Sequence, residues 1–305
     1  MISAAPDPEN PGMRQNTRVQ KLSLSTTLAL DARAKELAAQ GRDVINMAVG
    51  EPDFNAPEAV QSAAVAAVRG GKVRCTPAEG TASLRKAIAQ HLTDTRGIAF
   101  TPAEITVCHS AKHALSGACL TLIEPGDEVL VLLPAWVSYV EIIRFAGGVP
   151  VEVPSRPDLG PDVARIAAAI TKKTKGLLIN SPCNPSGYVM TAAEVRALSE
   201  LAEKHDLWIV SDEIYRRLVY EGEPNLSPAQ VSERVRARTV IVDGASKAFA
   251  MTGYRIGFCA GPKDVVSGVA KLHSQLTGCP NLVSQQAFEA ALLAEPREVA
   301  EMCAQ

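Results

Sequence analysis

The chain has 305 residues and a formal net charge of −2. Hydrophobic residues make up 47% of it and aromatic residues 4%, which excludes a disordered chain and points to a large aliphatic core. That charge balance offers no electrostatic handle for nucleic acid or for an anionic membrane.

The first dozen residues are polar and proline-rich. They lack a basic start followed by an apolar core, so no signal peptide is expected, and no run is long enough to span a bilayer. The seven cysteines show no CxxC spacing and no cluster with histidine. They read as reduced thiols of a cytoplasmic protein, with no structural zinc and no metal site.

Helix and strand patterns then alternate. Residues 26–40 read as a helix stopped by Gly41, residues 57–69 as a second closed by Gly70 and Gly71, and residues 81–96 as a third stopped by Gly97. Val44 to Val49 is a short extended run leading into GEPDF. Strand-like runs follow at 105–108, 128–133, 149–153, 176–180, 207–211 and 239–242. Between the fourth and fifth, Thr191 and Glu194 form a capping-box pattern ahead of a helical stretch. Several strands are apolar along their whole length, as when helices cover both faces of a sheet. The alternation predicts an α/β fold with a largely parallel sheet between two helical layers. Residues 221–238 read as the one soft connection.

Ligands of such sheets gather where the strands end. At those ends stand His109, Ser110, Ala111 and Lys112 after the first run, and Trp136 after the second. The segment NSPCNPSG, containing Asn184, follows a later run, and Asp212 and Tyr215 follow the next. Lys247 follows Val242, with Arg255 eight residues on. Each has a plain structural explanation as a cap, a turn or packing. Five strands delivering such groups to one edge is harder to explain that way. Together they describe a site for a flat, anionic aromatic aldehyde. Trp136 can cover a ring face, a buried Asp212 can hold a ring nitrogen protonated, and Tyr215 and Asn184 can bond a phenolic oxygen. Arg255, the Ser110 hydroxyl and nearby backbone N–H groups can hold a phosphate. Lys247 can supply the imine-forming amine. Pyridoxal 5'-phosphate has these needs.

The motifs GEPDF (50–54), PAEGTASLRKAIA (77–89), PGDEVLVLLPAWVSY (125–139), FAGGVPVEV (145–153), NSPCNPSG (180–187), SDEIY (211–215) and SKAFAMTGYRIG (246–257) occur in this order. With them the chain resembles the class I aminotransferases of the pyridoxal-phosphate fold type I superfamily, and among these the bacterial aspartate aminotransferase branch. The resemblance implies a three-layer α/β/α large domain with a mostly parallel mixed sheet. It implies Lys247, Asp212 and Tyr215 as catalytic residues. Ser110, Ala111, Lys112, Trp136, Asn184, Ser246 and Arg255 would complete the cofactor site, and Gly50, Lys112, Trp136 and Asn184 would contact substrate. Lys112 matches the lysine that meets the distal carboxylate of aspartate or glutamate in this branch. The implied partners are an amino acid, a 2-oxo acid and a second copy of the chain in a homodimer with shared sites.

Some positions depart from the family pattern. Cys75 stands where a tyrosine usually reaches the neighbouring protomer's phosphate, Tyr254 where tryptophan is common, and Ser186 where threonine is common. Relatives continue past the position of Gln305 into a small domain carrying the arginine that clamps the substrate α-carboxylate. The expected organisation is thus an N-terminal arm with a small-domain segment at 1–56 and the cofactor-binding large domain at 57–305, the C-terminal small domain being absent. Two functions remain open: transamination of an acidic amino acid, or a truncated cofactor-binding protein with weak or no activity.

Overall fold

The computed structural model describes residues 13–222, 226–294 and 297–305. The first described residues carry α1 (Thr17–Gln20) and α2 (Thr26–Ala39). Helices α3 (Glu58–Arg69) and α4 (Ala82–Arg96) lead to β1 (Ile105–Cys108), and α5 (Ala111–Leu122) follows it. Then come β2 (Glu128–Leu133), α6 (Ser138–Ala146), β3 (Val149–Pro154), α7 (Val163–Ala169), β4 (Thr174–Asn180), α8 (Ala192–Lys204) and β5 (Trp208–Asp212). The chain continues through α9 (Glu233–Arg236), β6 (Thr239–Gly244), β7 (Gly257–Ala260), α10 (Lys263–Leu276), α11 (Leu282–Ala294) and α12 (Arg297–Ala304). The proline-rich segment 1–12 lies outside the described residues.

The strands form one sheet in the order β1-β7-β6-β5-β4-β2-β3. All pairings are parallel except those of β7, which is antiparallel to both β1 and β6. Six strands therefore point one way and β7 alone points back. The sequence reading found the six and missed β7. Its four residues, GFCA, are too short a run to declare a period and sit inside a segment rich in turn residues.

Period-two burial divides the strand side chains between two helical layers. Leu178, Val210, Val240 and Val242 face a core with α5, α6 and α10, through Leu115, Ile143 and Val269. Their neighbours Leu177, Ile179 and Ile209 face the opposite side, where Ile166 of α7 and Leu198 of α8 pack. On that side Ile241 and Phe258 meet α4 and α11 through Ile88 and Phe288. This is the three-layer α/β/α arrangement. The Thr191–Glu194 capping box forms as read, with both reciprocal bonds present. The connection expected to be soft is partly built in: Ser227 is fully buried and its hydroxyl donates to Glu213. Residues 223–225 within it lie outside the described residues.

One buried charge cluster ties the helical layer to the edge of the sheet. Arg96, at the end of α4, donates through Nε to Glu213 at 2.8 Å and through a terminal nitrogen to Asp243 at 2.7 Å. Ser211 adds a hydroxyl bond to Glu213 at 3.0 Å, and Gln230 bonds the Arg96 carbonyl at 2.6 Å. Removing the arginine takes away the cation paired with both buried carboxylates. Arg96→Met should therefore cost about 3–5 kcal/mol of stability, read from urea unfolding. A variant within about 1 kcal/mol of the parent would show that the cluster is solvated or neutral.

Candidate active site

Because six strands share one direction, the carboxyl ends of β1, β2, β4, β5 and β6 line a single edge of the sheet. From them come Ser110, Trp136, Asn184, Asp212 and Lys247. The reversed strand β7 begins at this same edge, and Arg255 stands two residues before it. Gly257 pairs with both Cys108 and Gly244. A Cβ at Gly257 would lie 2.5 Å from the Ala111 nitrogen and 2.7 Å from the Ser110 carbonyl carbon. Only glycine allows the start of β7 to press against the first turn of α5, and that contact brings the Arg255 segment to the helix N-terminus. Arg255 adopts a left-handed backbone (φ 53°) and donates to the Thr252 carbonyl at 2.7 Å. A non-glycine residue held so stores about 1–3 kcal/mol of strain, which surrounding structure must sustain. Ser110 is the N-cap of α5, its hydroxyl oxygen accepting the His113 N–H at 3.2 Å. The hydroxyl proton is still able to point outward, beside the backbone donors of the first turn.

Lys247 is half-buried, and its Nζ donates to the carbonyl of Gly50 on the arm. The same nitrogen stands 5.9 Å from the centre of the Tyr215 ring. Burial holds the Lys247 pKa below the usual lysine value; Glu51 opposes this and Arg255 adds to it. Lys112 is likewise lowered, first by burial and then by Arg255. Its ammonium lies 4.7 Å over the Trp136 ring. Among the described residues, none of these three cations lies within salt-bridge distance of a carboxylate. Across the site, Asn184 Nδ2 donates to the Tyr215 hydroxyl at 3.0 Å. Ser246 is buried next to Lys247 in the chain.

Asp212 ends β5 and is 5% exposed. Its carboxylate accepts the Tyr139 hydroxyl at 2.8 Å and the Ile214 N–H at 3.3 Å. Burial raises its pKa to about 6 against those two bonds, with Asp243 and Glu213 adding repulsion. Two residues that sequence reasoning left without a role support this corner. Tyr139 orients Asp212 and meets Trp136 edge-on, with centroids 5.4 Å apart. Its place one helical turn after Trp136 was the available signal. Asn180 bonds the Asp212 carbonyl at 3.0 Å and accepts the Asn184 N–H at 2.7 Å, joining the ends of β4 and β5. As the first residue of NSPCNPSG it was visible only as part of a turn.

A carboxyl whose pKa is raised on folding stabilises the fold below its unfolded value and loses that stabilisation as pH rises through the folded value. For Asp212 the window runs from the ordinary aspartate value of 3.8 to about 6. Asp212→Asn carries no charge at any pH. Relative to this variant, the cofactor-free parent should lose about 3 kcal/mol between pH 3.5 and pH 7, measured by denaturant unfolding at both. A stability difference that stays constant with pH would show that Asp212 is not held in an unfavourable ionised state.

Comparison with known proteins agrees with this arrangement. A family model described as aminotransferase class I and II matches residues 42–305. A probable aspartate/prephenate aminotransferase of Thermus aquaticus is 46% identical over 277 residues, covering 90% of this chain and 71% of that protein. The aspartate aminotransferase of Geobacillus stearothermophilus is 42% identical over 294 residues, covering 95% of this chain and 74% of the relative. Among solved structures, aspartate aminotransferase from Thermus thermophilus with maleate superposes with a TM-score of 0.92 at 44% identity, over 96% of this chain and 77% of that one. The Rhizobium meliloti enzyme gives the same TM-score at 37% identity. With its fold, its order of motifs and these similarities in agreement, the chain belongs to the class I and II aminotransferase family.

Proposed function

We propose that the chain binds pyridoxal 5'-phosphate and transfers the amino group of aspartate or glutamate to a 2-oxo acid. The observation that carries this reading is the charge pattern of the sheet edge. Among the described residues, Lys112, Lys247 and Arg255 gather there without carboxylates within salt-bridge distance, while Asp212 lies buried without a cation within that distance. An anionic tail and a cationic ring nitrogen on one ligand complement both halves. Bound here, the cofactor supplies an aldehyde carbon that condenses with amines and a pyridinium ring that accepts the electron pair released at the substrate Cα.

The chain's own residues do the rest. Arg255, the Ser110 hydroxyl, Ser246 and the N–H groups that begin with Ala111 would hold the phosphate. Asp212 would keep the proton on the ring nitrogen, and that positive charge would draw its pKa back down. Tyr139 positions Asp212 and Trp136 would cover one ring face. Tyr215 and Asn184 would bond the ring oxygen. Burial, which lowers the Lys247 pKa, would favour the neutral amine that bonds the aldehyde and, once released, moves the Cα proton. Gly50, whose carbonyl accepts the Lys247 ammonium, would offer its backbone to a substrate carboxylate. Lys112, whose ammonium lies over the Trp136 ring, would reach a distal carboxylate. The names of the relatives and the maleate bound to one of them support a dicarboxylic substrate. A role limited to cofactor binding is the weaker reading, because the proton-moving lysine, the ring carboxylate and both ring-oxygen donors are all at the edge.

The large domain would comprise residues 57–305, and residues 1–56 would form the arm. Leu24, Leu28, Leu30, Ile45 and Met47 of that arm are exposed. Such a run of apolar surface is what a second copy would cover, in keeping with a homodimer. All seven cysteines are free, the state expected in a reducing cytoplasm.

Borohydride treatment of the protein loaded with pyridoxal phosphate should fix one label, on Lys247, located by peptide mass spectrometry. A label on another lysine, or none, removes Lys247 from its role. For the substrate, Lys112→Ala should weaken binding of maleate to the loaded protein by one charge-assisted contact. That is about 1.5–3 kcal/mol, or roughly tenfold to a hundredfold in affinity, by calorimetric titration. Unchanged affinity would make Lys112 a solvated lysine at a helix start.

A further inference from the structure

The turn that opens α5 is held from behind by a histidine ring with no part in the chemistry described so far. Ser110 caps the helix, and His113 is its third residue. The backbone N–H of His113 donates to the Ser110 hydroxyl oxygen at 3.2 Å, and its ring Nδ1 accepts the backbone N–H of His109 at 3.3 Å. A carboxylate or amide at this third position usually reaches back to the capping residue itself. Here an imidazole reaches one residue further, so both residues ahead of the helix are pinned by His113. The N–H groups of Ala111 and Lys112, the first two of the helix, have no intrahelical acceptor. They are left beside the Ser110 hydroxyl.

The ring is itself held in place. It stacks on His273 of α10, with centroids 4.2 Å apart and planes 14° from parallel, and His109 meets it edge-on at 5.1 Å. α10 approaches this closely because Gly117, further along α5, has no side chain: a Cβ there would lie 2.8 Å from Val269 Cγ1. A ring that accepts at Nδ1 carries no proton there, so the neutral ring has its proton on Nε2. The titratable rings packed on His113 are His109, from the turn after β1, and His273, from α10. Among the described residues, no carboxylate lies within salt-bridge distance of any of the three. Burial first, and then His109, holds the His113 pKa below the usual histidine value, which keeps the ring in its accepting form.

We propose that His113 is a positioning residue for the phosphate end of the ligand: its ring fixes the turn at His109 and Ser110 so that the Ser110 hydroxyl and the N–H groups of Ala111 and Lys112 converge on one oxyanion. This role rests on the proposal that those groups receive the phosphate of pyridoxal phosphate. Without an acceptor at that place the His109 N–H loses its partner, and the turn relaxes to find another. The loss then falls on the phosphate end of the ligand. It spares the ring end, which Asp212, Tyr215 and Asn184 would hold from other strands.

The test compares equilibrium binding of pyridoxal 5'-phosphate and of pyridoxal, which lacks the phosphate, to the full chain and two variants. The parent should bind the phosphorylated form more tightly. His113→Leu should weaken pyridoxal phosphate by about threefold to tenfold, as for one lost hydrogen bond, and leave pyridoxal within about twofold. His113→Asn places Oδ1 where Nδ1 stands and should recover most of the lost affinity. In the cofactor-free parent near neutral pH, the ring nitrogen resonances of His113 should show its proton on Nε2. The His109 amide should exchange with solvent more slowly there than in the leucine variant. Equal weakening of both ligands, or an asparagine variant no better than leucine, would overturn the role. So would a proton on Nδ1, which is read from the parent whether or not the leucine variant folds. A parent that binds the two ligands alike overturns the phosphate assignment and this role with it. A parent that discriminates, with both variants discriminating as well as it does, overturns this role alone.

Discussion

The site depends on a close backbone approach at one glycine. β7 runs against the direction of every other strand and is wedged between β1 and β6. Its first residue, Gly257, lies against the Ser110–Ala111 peptide at a separation that no side chain tolerates. A parallel strand in that slot would leave the edge where the other strands leave it, and its preceding loop would lie at the far side of the sheet. The reversed strand enters at the edge instead, so the loop before it, with Lys247 at one end and Arg255 at the other, is delivered to the ends of five other strands. The left-handed backbone of Arg255 is a local cost of making that turn.

Electrostatic tension on this edge is the second consequence. Burial, with Arg255 adding to it, depresses the pKa values of both Lys112 and Lys247, and burial forces the Asp212 carboxyl upward. A protein selected for stability alone would pair these groups with one another. Here the cations are kept apart from the carboxylate, and Tyr139 and the Ile214 N–H only partly compensate Asp212. The arrangement is unfavourable in the free protein and favourable when a ligand of opposite polarity at its two ends is present. Perturbed groups gathered in this way mark functional sites. The buried Arg96 cluster behind the edge has the opposite character, with its charges closely paired and its remaining acceptors bonded.

Much of this was legible in the amino-acid sequence, for identifiable reasons. Six strands were read because each is a short, largely apolar run bounded by turn residues, and several are apolar throughout, the mark of a strand covered on both faces. The helices that start at Thr26, Glu58 and Ala82 ended where glycines said they would, because a left-handed or fraying C-terminus needs glycine. The site residues were recognisable because right-handed β-α connections place each loop at the same edge, so a polar group after an apolar run has a predictable address. Family resemblance then assigned the chemistry to those addresses.

What only the tertiary structure decided concerns pairs far apart in the chain. The direction of β7 follows from which strands it pairs with, and GFCA carries no trace of that choice. Tyr139 became the partner of Asp212, and Asn180 the link between two strand ends, through contacts that close only when the sheet has formed. Arg96 was one basic residue near the end of a helix, and its two carboxylates lie more than a hundred positions away. The approach of Thr76 to Cys279 was equally hidden, since spacing in the sequence says nothing about two irregular segments that Gln285 draws together. Local patterns fix elements and their ends because they depend on backbone geometry and solvent exposure over a few residues. Long-range pairings depend on the register of the whole sheet and on which faces its helices cover, and these exist only in the folded chain.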